Sequence, residues 1–311
     1  MIFAKIFYKK MWVDMRVFEE NSLASRRLAY RGLSLSKKIV RCYMKKILVC
    51  AVIAALSLGC IFAKPKKAGG DNSFEELKSR GVFVLGLDDS FPPMGYRDEK
   101  NEIVGFDIDL AKEVAKRMGV QFKAQPIDWD AKEQELRGGK IDCIWNGLTM
   151  TAERVKAFSF TKPYLENNQV VVVKNDSPLK TLADFKGKSI SLQNGSSAED
   201  AVNSAPAFKN SLKEIIPLQD NLMALNDLQM NRVDGVVMDS VVAEYVIKQS
   251  NLPLKTLGES LAAERYGIAF RKKDAKLADG VQKILEEMAK DGTVARISEK
   301  WFGSDITVIG K

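Results

Sequence analysis

The chain has 311 residues, with 48 Lys and Arg against 40 Asp and Glu, and it contains no histidine. The missing histidine excludes Ser-His and Cys-His catalysis and removes the commonest metal ligand. The excess positive charge belongs to residues 1–60, which hold 12 basic and 3 acidic residues and leave 36 and 37 for the remainder. Since no basic stripe with interleaved aromatic residues follows residue 64, we expect no nucleic-acid partner.

The beginning of the chain has the pattern of an export signal. A short basic segment at residues 44–46 precedes an unbroken apolar run from Ile47 to Leu58. This run is shorter than the roughly 20 residues of a membrane-spanning helix, so it predicts a signal peptide over residues 44–60. Residues 1–43 fit no fold, and we interpret them as an overcalled start site; an extended n-region is the alternative.

Cys60 stands directly after Gly59 at the end of the apolar run. This pair resembles a lipoprotein cleavage site, which predicts that Cys60 becomes the lipid-modified first residue of the mature protein. Cleavage after Ala63 by ordinary signal peptidase is the alternative. Residues 61–72, rich in Lys, Gly and Pro, predict a tether. We therefore expect an extracytoplasmic protein, in the periplasm or on the outer face of a membrane, anchored through Cys60.

The first predicted elements are a strand and a helix. The apolar stretch 82–87 predicts a buried strand that ends at Asp88 and Asp89. A helix opens after Gly105 and ends at Gly119, a typical C-terminal cap. Its predicted apolar face consists of Phe106, Leu110, Val114 and Met118. Further alternation of strands and helices predicts an α/β fold with largely parallel sheets.

Near the C-terminus a second amphipathic helix is predicted, and its apolar face consists of Leu277, Val281, Ile284, Leu285 and Met288. The cysteines predict no disulfide framework, because Cys42, Cys50 and Cys60 belong to the leader. Cys143, in an apolar strand, is expected to be a buried small hydrophobic residue rather than a reactive thiol.

The most informative stretch joins a strand to a helix. An apolar strand at 141–145 leads into the polar loop 146–149, and a helix follows that Thr151 can cap. The first turn of this helix carries Arg154, whose guanidinium pairs with a carboxylate as a two-pronged fork. The Thr149 hydroxyl and the loop N–H groups add donors. Together they predict a site for a small anion, most simply a carboxylate, although Arg154 taken alone is also compatible with a solvated surface residue.

A weak internal repeat relates residues 136–146 to residues 228–238. In both segments a helix end leads into a turn, an Asp and an apolar strand. The polar loop after each strand then lies at the carboxyl end of a strand, which is where open α/β sheets bind ligands. The repeat predicts two similar lobes.

Two motifs identify a family. The chain reads TMTAER from Thr149 to Arg154 and FSFTKPY from Phe158 to Tyr164. These motifs resemble the polar amino-acid family of extracytoplasmic solute-binding proteins, the receptors of ABC importers, and the resemblance covers about residues 74–303. It implies the two-lobed type II periplasmic-binding fold with two hinge crossings, at 169–174 and 266–270. Lobe 1 would comprise 73–169 plus 267–303, and lobe 2 would comprise 170–266.

The resemblance also implies roles in the site. Arg154 and Thr149 would hold the α-carboxylate of an amino acid, helped by the capping-box segment Gln193–Glu199, and Asp239 would hold the α-ammonium. Plain helix capping is the alternative for Ser196, Ser197 and Asp239. The complete expected ligand-binding set is Asp88, Phe91, Trp129, Asn146, Gly147, Thr149, Arg154, Gln193, Gly195, Ser196, Ser197, Met238 and Asp239. Asp88, Phe91 and Trp129 would meet the ligand side chain, and core packing is the alternative for the two aromatic residues.

The predicted function is a monomeric receptor that binds glutamine, a basic amino acid or cystine and delivers it to an ABC permease by cleft closure, without metal or cofactor. An enzyme on the same fold, similar to the cyclohexadienyl dehydratases, is the alternative. Its acid–base chemistry would have to come from Glu, Asp or Lys, and the sequence offers no carboxylate pair at enzyme-like spacing beyond Asp88 and Asp89. A sensor domain would require a membrane-spanning helix and a signalling domain.

Overall fold

The computed structural model of the protein describes residues 70–311. The predicted signal peptide, the lipid attachment at Cys60 and most of the tether lie outside the described residues. Within 70–311 no helix is long and apolar enough to cross a membrane.

Ten α-helices occur in the described part of the chain. They are α1 (Ser73–Arg80), α2 (Phe106–Met118), α3 (Lys132–Arg137), α4 (Ala152–Ala157), α5 (Ser197–Asn203), α6 (Pro206–Lys209), α7 (Asn221–Gln229), α8 (Ser240–Ser250), α9 (Ala275–Lys290) and α10 (Thr293–Phe302). Single 3-10 turns cover Trp129–Ala131 and Leu182–Phe185.

The same part of the chain contains thirteen strands. They are β1 (Val82–Leu87), β2 (Ser90–Phe91), β3 (Gly95–Arg97), β4 (Ile103–Val104), β5 (Gln121–Pro126), β6 (Cys143–Ile144), β7 (Phe158–Phe160), β8 (Leu165–Lys174), β9 (Ser189–Gln193), β10 (Glu214–Leu218), β11 (Gly235–Asp239), β12 (Leu254–Tyr266) and β13 (Ala269–Arg271).

Two five-stranded sheets have the orders β5-β1-β6-β13-β7 and β10-β9-β11-β8-β12, and a small third sheet joins β2, β3 and β4. We call the residues around the first two sheets the first lobe and the second lobe. In each sheet the first three strands are parallel and the last two pairings are antiparallel, so the fourth strand, β13 or β8, runs against the other four. The prediction of largely parallel sheets was therefore wrong for β13 and β8, each of which is a crossing strand or follows one along the chain.

The internal repeat is confirmed by matching hydrogen bonds in the two lobes. Asp142 accepts a bond from the Val84 N–H at 2.9 Å, and its own N–H donates to the Val84 carbonyl at 2.8 Å. Asp234 makes the same pair of bonds with Ser189, at 2.9 and 2.8 Å. Each Asp thus ties the central strand of its sheet to the neighbouring strand, β1 or β9.

The predicted core elements are also confirmed. The strand β1 has the predicted bounds, and α2 ends at Gly119, whose φ of 73° is left-handed. All four residues of the predicted α2 face and all five of the predicted α9 face are buried. Cys143 is fully buried as a free thiol, and burial raises its pKa.

The two lobes are joined by β8 and β12, which pair with each other from Leu165 opposite Tyr266 to Lys174 opposite Leu254. The prediction of a strand over 266–270 was wrong in its bounds, because β12 ends at Tyr266 and β13 begins at Ala269. Gly267, between them, lies where a Cβ would be 2.7 Å from the Met150 sulfur. A side chain at this position would therefore require Met150 to move.

Candidate ligand-binding site

The loop after β6 is fixed by a buried carboxylate. Asp107, at the start of α2, accepts hydrogen bonds from the Gly147 N–H at 2.8 Å and the Tyr164 hydroxyl at 2.9 Å. Burial raises the pKa of Asp107 to about 7. Gly147 has a φ of 60°, and a Cβ there would lie 2.9 Å from the Phe91 ring. Asp107 and Phe91 therefore hold the loop that presents Asn146, Gly147 and Thr149.

Arg154 lies in α4, and the Thr151 hydroxyl caps this helix by accepting from the Arg154 N–H at 3.2 Å, as predicted. The Arg154 residue is only 7% exposed, so it is not a solvated surface residue. Its guanidinium donates to the Thr149 carbonyl at 3.2 Å and to the Gly195 carbonyl of the second lobe at 3.4 Å. Burial lowers its pKa, although an Arg stays charged.

The hydroxyls of Thr149 and Ser197 meet across the lobes at 3.0 Å. Thr149 also donates to the Glu264 carboxylate at 2.8 Å, and Gln169 donates to the Ser197 hydroxyl at 3.2 Å. Both hydroxyls thus belong to a network that continues into the crossing strands β8 and β12.

The capping box predicted at the start of α5 is not formed. The Ser196 side chain makes no cap and donates to the Gln193 carbonyl at 2.7 Å. The Glu199 side chain accepts from the Gly195 N–H at 3.3 Å, one residue before the N-cap Ser196, whose own N–H donates to the Gln193 carbonyl at 3.3 Å. Ser196 therefore stabilises the turn after β9 rather than the first turn of the helix.

Asp239 is 5% exposed at the end of β11. It accepts hydrogen bonds from the Asn167 amide at 2.7 Å and the Tyr266 hydroxyl at 2.6 Å. It does not cap α8, which begins at the next residue. Burial, with the Glu264 carboxylate adding to it, raises the pKa of Asp239 well above its usual range. Met238, just before it, is fully buried in a hydrophobic cluster.

A third buried carboxylate, Asp88, lies at the end of β1. It accepts from the Gln193 amide of the second lobe at 2.7 Å and from the Ser90 N–H at 2.9 Å, and burial raises its pKa to about 6. Asn146 accepts from the Asp88 N–H at 3.0 Å. The Asn146 amide nitrogen is buried without a partner among residues 70–311. The structure thus brings Asp88, Asn146 and Gln193 together.

Lys132 is a site residue that sequence reasoning missed. It is 3% exposed, and its ammonium donates to the Trp129 carbonyl at 2.9 Å and to the Gly195 carbonyl at 2.7 Å. It also lies 4.9 Å from the centre of the half-buried Trp129 ring. Burial lowers its pKa to about 8. Lys132 and Arg154 therefore converge from the first lobe on one carbonyl of the second.

Sequence reasoning also missed the residues of the crossing strands. These are Asn167, Gln169, Glu264 and Tyr266, and all four join the network around Thr149 or Asp239. The sequence pattern that could have identified them is a pair of polar residues at a spacing of two along each strand, which places both side chains on one face. Asn167 lies directly opposite Glu264 in the pairing.

The connected network runs from Arg154 through Thr149, Glu264 and Asn167 to Asp239. A buried cation and a buried anion are thus held by one set of hydrogen bonds at the meeting of the two lobes. No group of three or more metal-ligating His, Cys, Asp or Glu side chains occurs in the part of the chain that the structure covers.

Comparisons with known proteins agree with this geometry. The sequence model of the bacterial extracellular solute-binding proteins, family 3, matches residues 83–304. The L-cystine-binding protein TcyJ of Escherichia coli (strain K12) is 28% identical over 263 residues, which is 84% of this chain and 95% of that protein. ABC transporter arginine-binding protein 1 of the same strain is 32% identical over 265 residues, 83% of this chain and 99% of that protein.

Among solved structures, an ABC uptake transporter substrate-binding protein from Streptococcus pneumoniae with bound histidine superposes with a TM-score of 0.74. It is 36% identical and covers 77% of this chain and 99% of its own. Because 99% of that chain is matched, the structural similarity extends over both lobes.

Proposed function

We propose that this chain, which belongs to the bacterial extracellular solute-binding proteins of family 3, binds a polar L-amino acid between its lobes and delivers it to the permease of an ABC importer. One observation carries the proposal. Arg154 and Asp239, of opposite charge and 7% and 5% exposed, belong to one hydrogen-bond network where the lobes meet. An amino acid is a zwitterion, and each of its charges must find a buried counter-charge, because an unpaired one costs several kcal/mol.

In this proposal Arg154 takes the α-carboxylate. Two of its N–H groups are used on the carbonyls of Thr149 and Gly195, and these bonds fix the plane of the guanidinium. The remaining N–H groups serve the carboxylate as a fork. Asp239 takes the α-ammonium, and this cation replaces the proton that burial otherwise favours on the Asp239 carboxylate.

The ligand side chain meets Asp88 in this proposal. A buried carboxylate that carries a charge favours a partner with N–H donors, and it disfavours acidic and aliphatic side chains. Phe91 and the half-buried Trp129 supply surfaces for a flat or cationic group. Glutamine, the basic amino acids and cystine meet this description, and the relatives named above bind cystine, arginine or histidine by their names.

Delivery requires the lobes to open and close. Four hydrogen bonds join the lobes around the site: Arg154 to Gly195, Lys132 to Gly195, Gln193 to Asp88, and the one between the Thr149 and Ser197 hydroxyls. We propose that closure forms these bonds and that β8 and β12 act as the hinge, with lobe boundaries at 169/170 and 266/267. We further propose a monomer, anchored to the outer face of a membrane by lipid on Cys60.

Calorimetry and thermal shift with the common L-amino acids and L-cystine test the proposal. A ligand at about 100 times its Kd stabilises the folded state by roughly 2.7 kcal/mol. We expect a shift with glutamine, a basic amino acid or cystine, and none with its methyl ester or des-amino analogue. Tight binding of a des-amino analogue would exclude the zwitterion clamp. Mass spectrometry after prolonged incubation with the bound ligand separates a receptor, which returns it unchanged, from an enzyme.

A further inference from the structure

Glu264 collects hydrogen bonds from three separate parts of the chain. Its Oε2 atom accepts from the Thr149 hydroxyl at 2.8 Å, the Asn167 and Gln169 amides at 3.1 Å each, and the Ser197 hydroxyl at 3.3 Å. Thr149 belongs to the first lobe, Ser197 to the second lobe, and the two amides to the crossing strand β8. The shortest of these bonds is the one from Thr149.

The direction of the Thr149 proton follows from donor counting. A hydroxyl has one proton, and an ionised carboxylate only accepts. At 2.8 Å from Glu264, the Thr149 hydroxyl directs its proton to the carboxylate. The Ser197 hydroxyl, which receives the Gln169 amide at 3.2 Å, supplies its own proton to Glu264 or to Thr149. In either case Thr149 keeps a lone pair and no further proton for a ligand.

The neighbouring carboxylate is held in the same orientation. The Asn167 carbonyl oxygen accepts from the Ser240 hydroxyl at 3.2 Å and from the Val241 N–H at 3.4 Å. The Asn167 amide nitrogen therefore faces Asp239, at 2.7 Å, and Glu264, at 3.1 Å. Asp239 and the Thr149 lone pair are thus fixed relative to each other through Asn167 and Glu264.

We infer that Glu264 is a positioning residue for the ammonium end of the ligand: it holds the Thr149 hydroxyl with its proton turned away, so that Thr149 and Asp239 both accept hydrogen bonds from the α-ammonium. This inference rests on the proposed function, and it reverses the expectation that the Thr149 hydroxyl donates to the α-carboxylate. An ammonium offers three donors and no acceptor, so a second oriented acceptor beside Asp239 satisfies a donor that would otherwise be buried unpaired.

The test compares two substitutions of Glu264 that separate charge from hydrogen bonding. Glu264→Gln keeps an acceptor oxygen for the Thr149 proton, whereas Glu264→Met removes it at similar length. Affinity is measured by calorimetry with L-arginine, L-glutamine and L-cystine. For the tightest of these, we expect Glu264→Met to weaken binding about 10-fold or more, the loss of one hydrogen bond to a charged group, and Glu264→Gln to weaken it by less.

A double-mutant cycle separates positioning from a purely structural role. If Glu264 acts through Thr149, then Glu264→Met costs little further affinity in a Thr149→Val background. Glu166→Gln is the matched control, because it removes a carboxylate from an exposed position on the same pair of crossing strands. A structural role through Asn167, Gln169 or Ser197 would instead persist in the Thr149→Val background and lower the melting temperature of the ligand-free protein.

A neutron crystal structure of the wild type with its bound amino acid gives a second measurement that does not depend on any variant folding. We expect the Thr149 deuteron on the Glu264 side. A deuteron directed at the ligand, or full additivity of Glu264→Met and Thr149→Val, would overturn the role of Glu264 while leaving the receptor intact. Failure of all three amino acids to bind the wild type would overturn the proposed function itself and the role of Glu264 with it.

Discussion

Gly195 allows lobe closure to be tested with one methyl group. It lies between β9 and α5 with a left-handed φ of 65°, and its carbonyl accepts from Lys132 and Arg154 of the first lobe. A Cβ on Gly195 would lie 2.8 Å from the Asp130 carboxylate and 3.2 Å from the Asp130 Cα. Asp130 belongs to the first lobe, so this clash exists only while the lobes are together.

The effect of Gly195→Ala divides into two parts. A left-handed backbone costs an Ala about 1–2 kcal/mol, and it does so whether the lobes are open or closed. The clash with Asp130 acts as overpacking, which typically costs about 1–3 kcal/mol and acts on the closed form alone. Because binding selects the closed form, we expect affinity to fall by roughly 5-fold to 150-fold.

Gly187→Ala is the matched control. Gly187 lies in the same lobe, has a φ of 72°, and a Cβ there would meet nothing within 4 Å. Both variants should lose similar stability in urea unfolding without ligand. Only Gly195→Ala should lose affinity in calorimetry and the decrease in radius of gyration that scattering should show with ligand. Equal affinities for the two variants would refute the reasoning that binding requires Gly195 and Asp130 to meet.

Three further predictions concern Arg154, Asp88 and Cys60. Arg154→Met should weaken binding of the best amino acid by about 2–5 kcal/mol in calorimetry, since the carboxylate is left buried without a partner; unchanged affinity would contradict the clamp. Burial raises the Asp88 pKa from 3.8 to about 6, so its contribution to stability is full below pH 3.8 and is lost as pH rises through 6. Asp88→Asn should therefore flatten part of the fall in unfolding free energy between pH 4 and 7, measured with urea and without ligand; an unchanged slope would refute this. Expression with a labelled fatty acid should label the wild type but not Cys60→Ala. Equal labelling of the two proteins would refute lipid attachment at Cys60.

Features that depend on neighbours in sequence could be predicted. Examples are the strand β1, the apolar face of α2, and the cap of α4, in which the Thr151 hydroxyl accepts from the Arg154 N–H. Each involves residues close along the chain, where periodicity and capping chemistry act. The repeat around Asp142 and Asp234 was equally visible, because both lobes use the same local turn.

Features that depend on distant partners could not be predicted. Thr149 and Glu264 are 115 residues apart, and their contact requires the isolated bridge that pairs Thr149 with Tyr266. Lys132 has no distinguishing pattern in the sequence, because its partner, the Gly195 carbonyl, lies 63 residues away in the second lobe. The missing Ser196 cap instead has a local cause, because the Ser196 side chain turns toward the Gln193 carbonyl three residues earlier and makes no bond to the first turn of α5.

The pairing of β8 with β12 also limits how the lobes can move. The two crossing strands are hydrogen-bonded to each other where they leave the second sheet, so they form one ribbon rather than two independent linkers. A ribbon twists and bends at little cost, but sliding one strand along the other would break its ladder. The register shifts between Thr256 and Ala262 provide one place for such a bend. Opening and closing should therefore follow a single rotation, and one distance between a probe on each lobe should describe the whole motion.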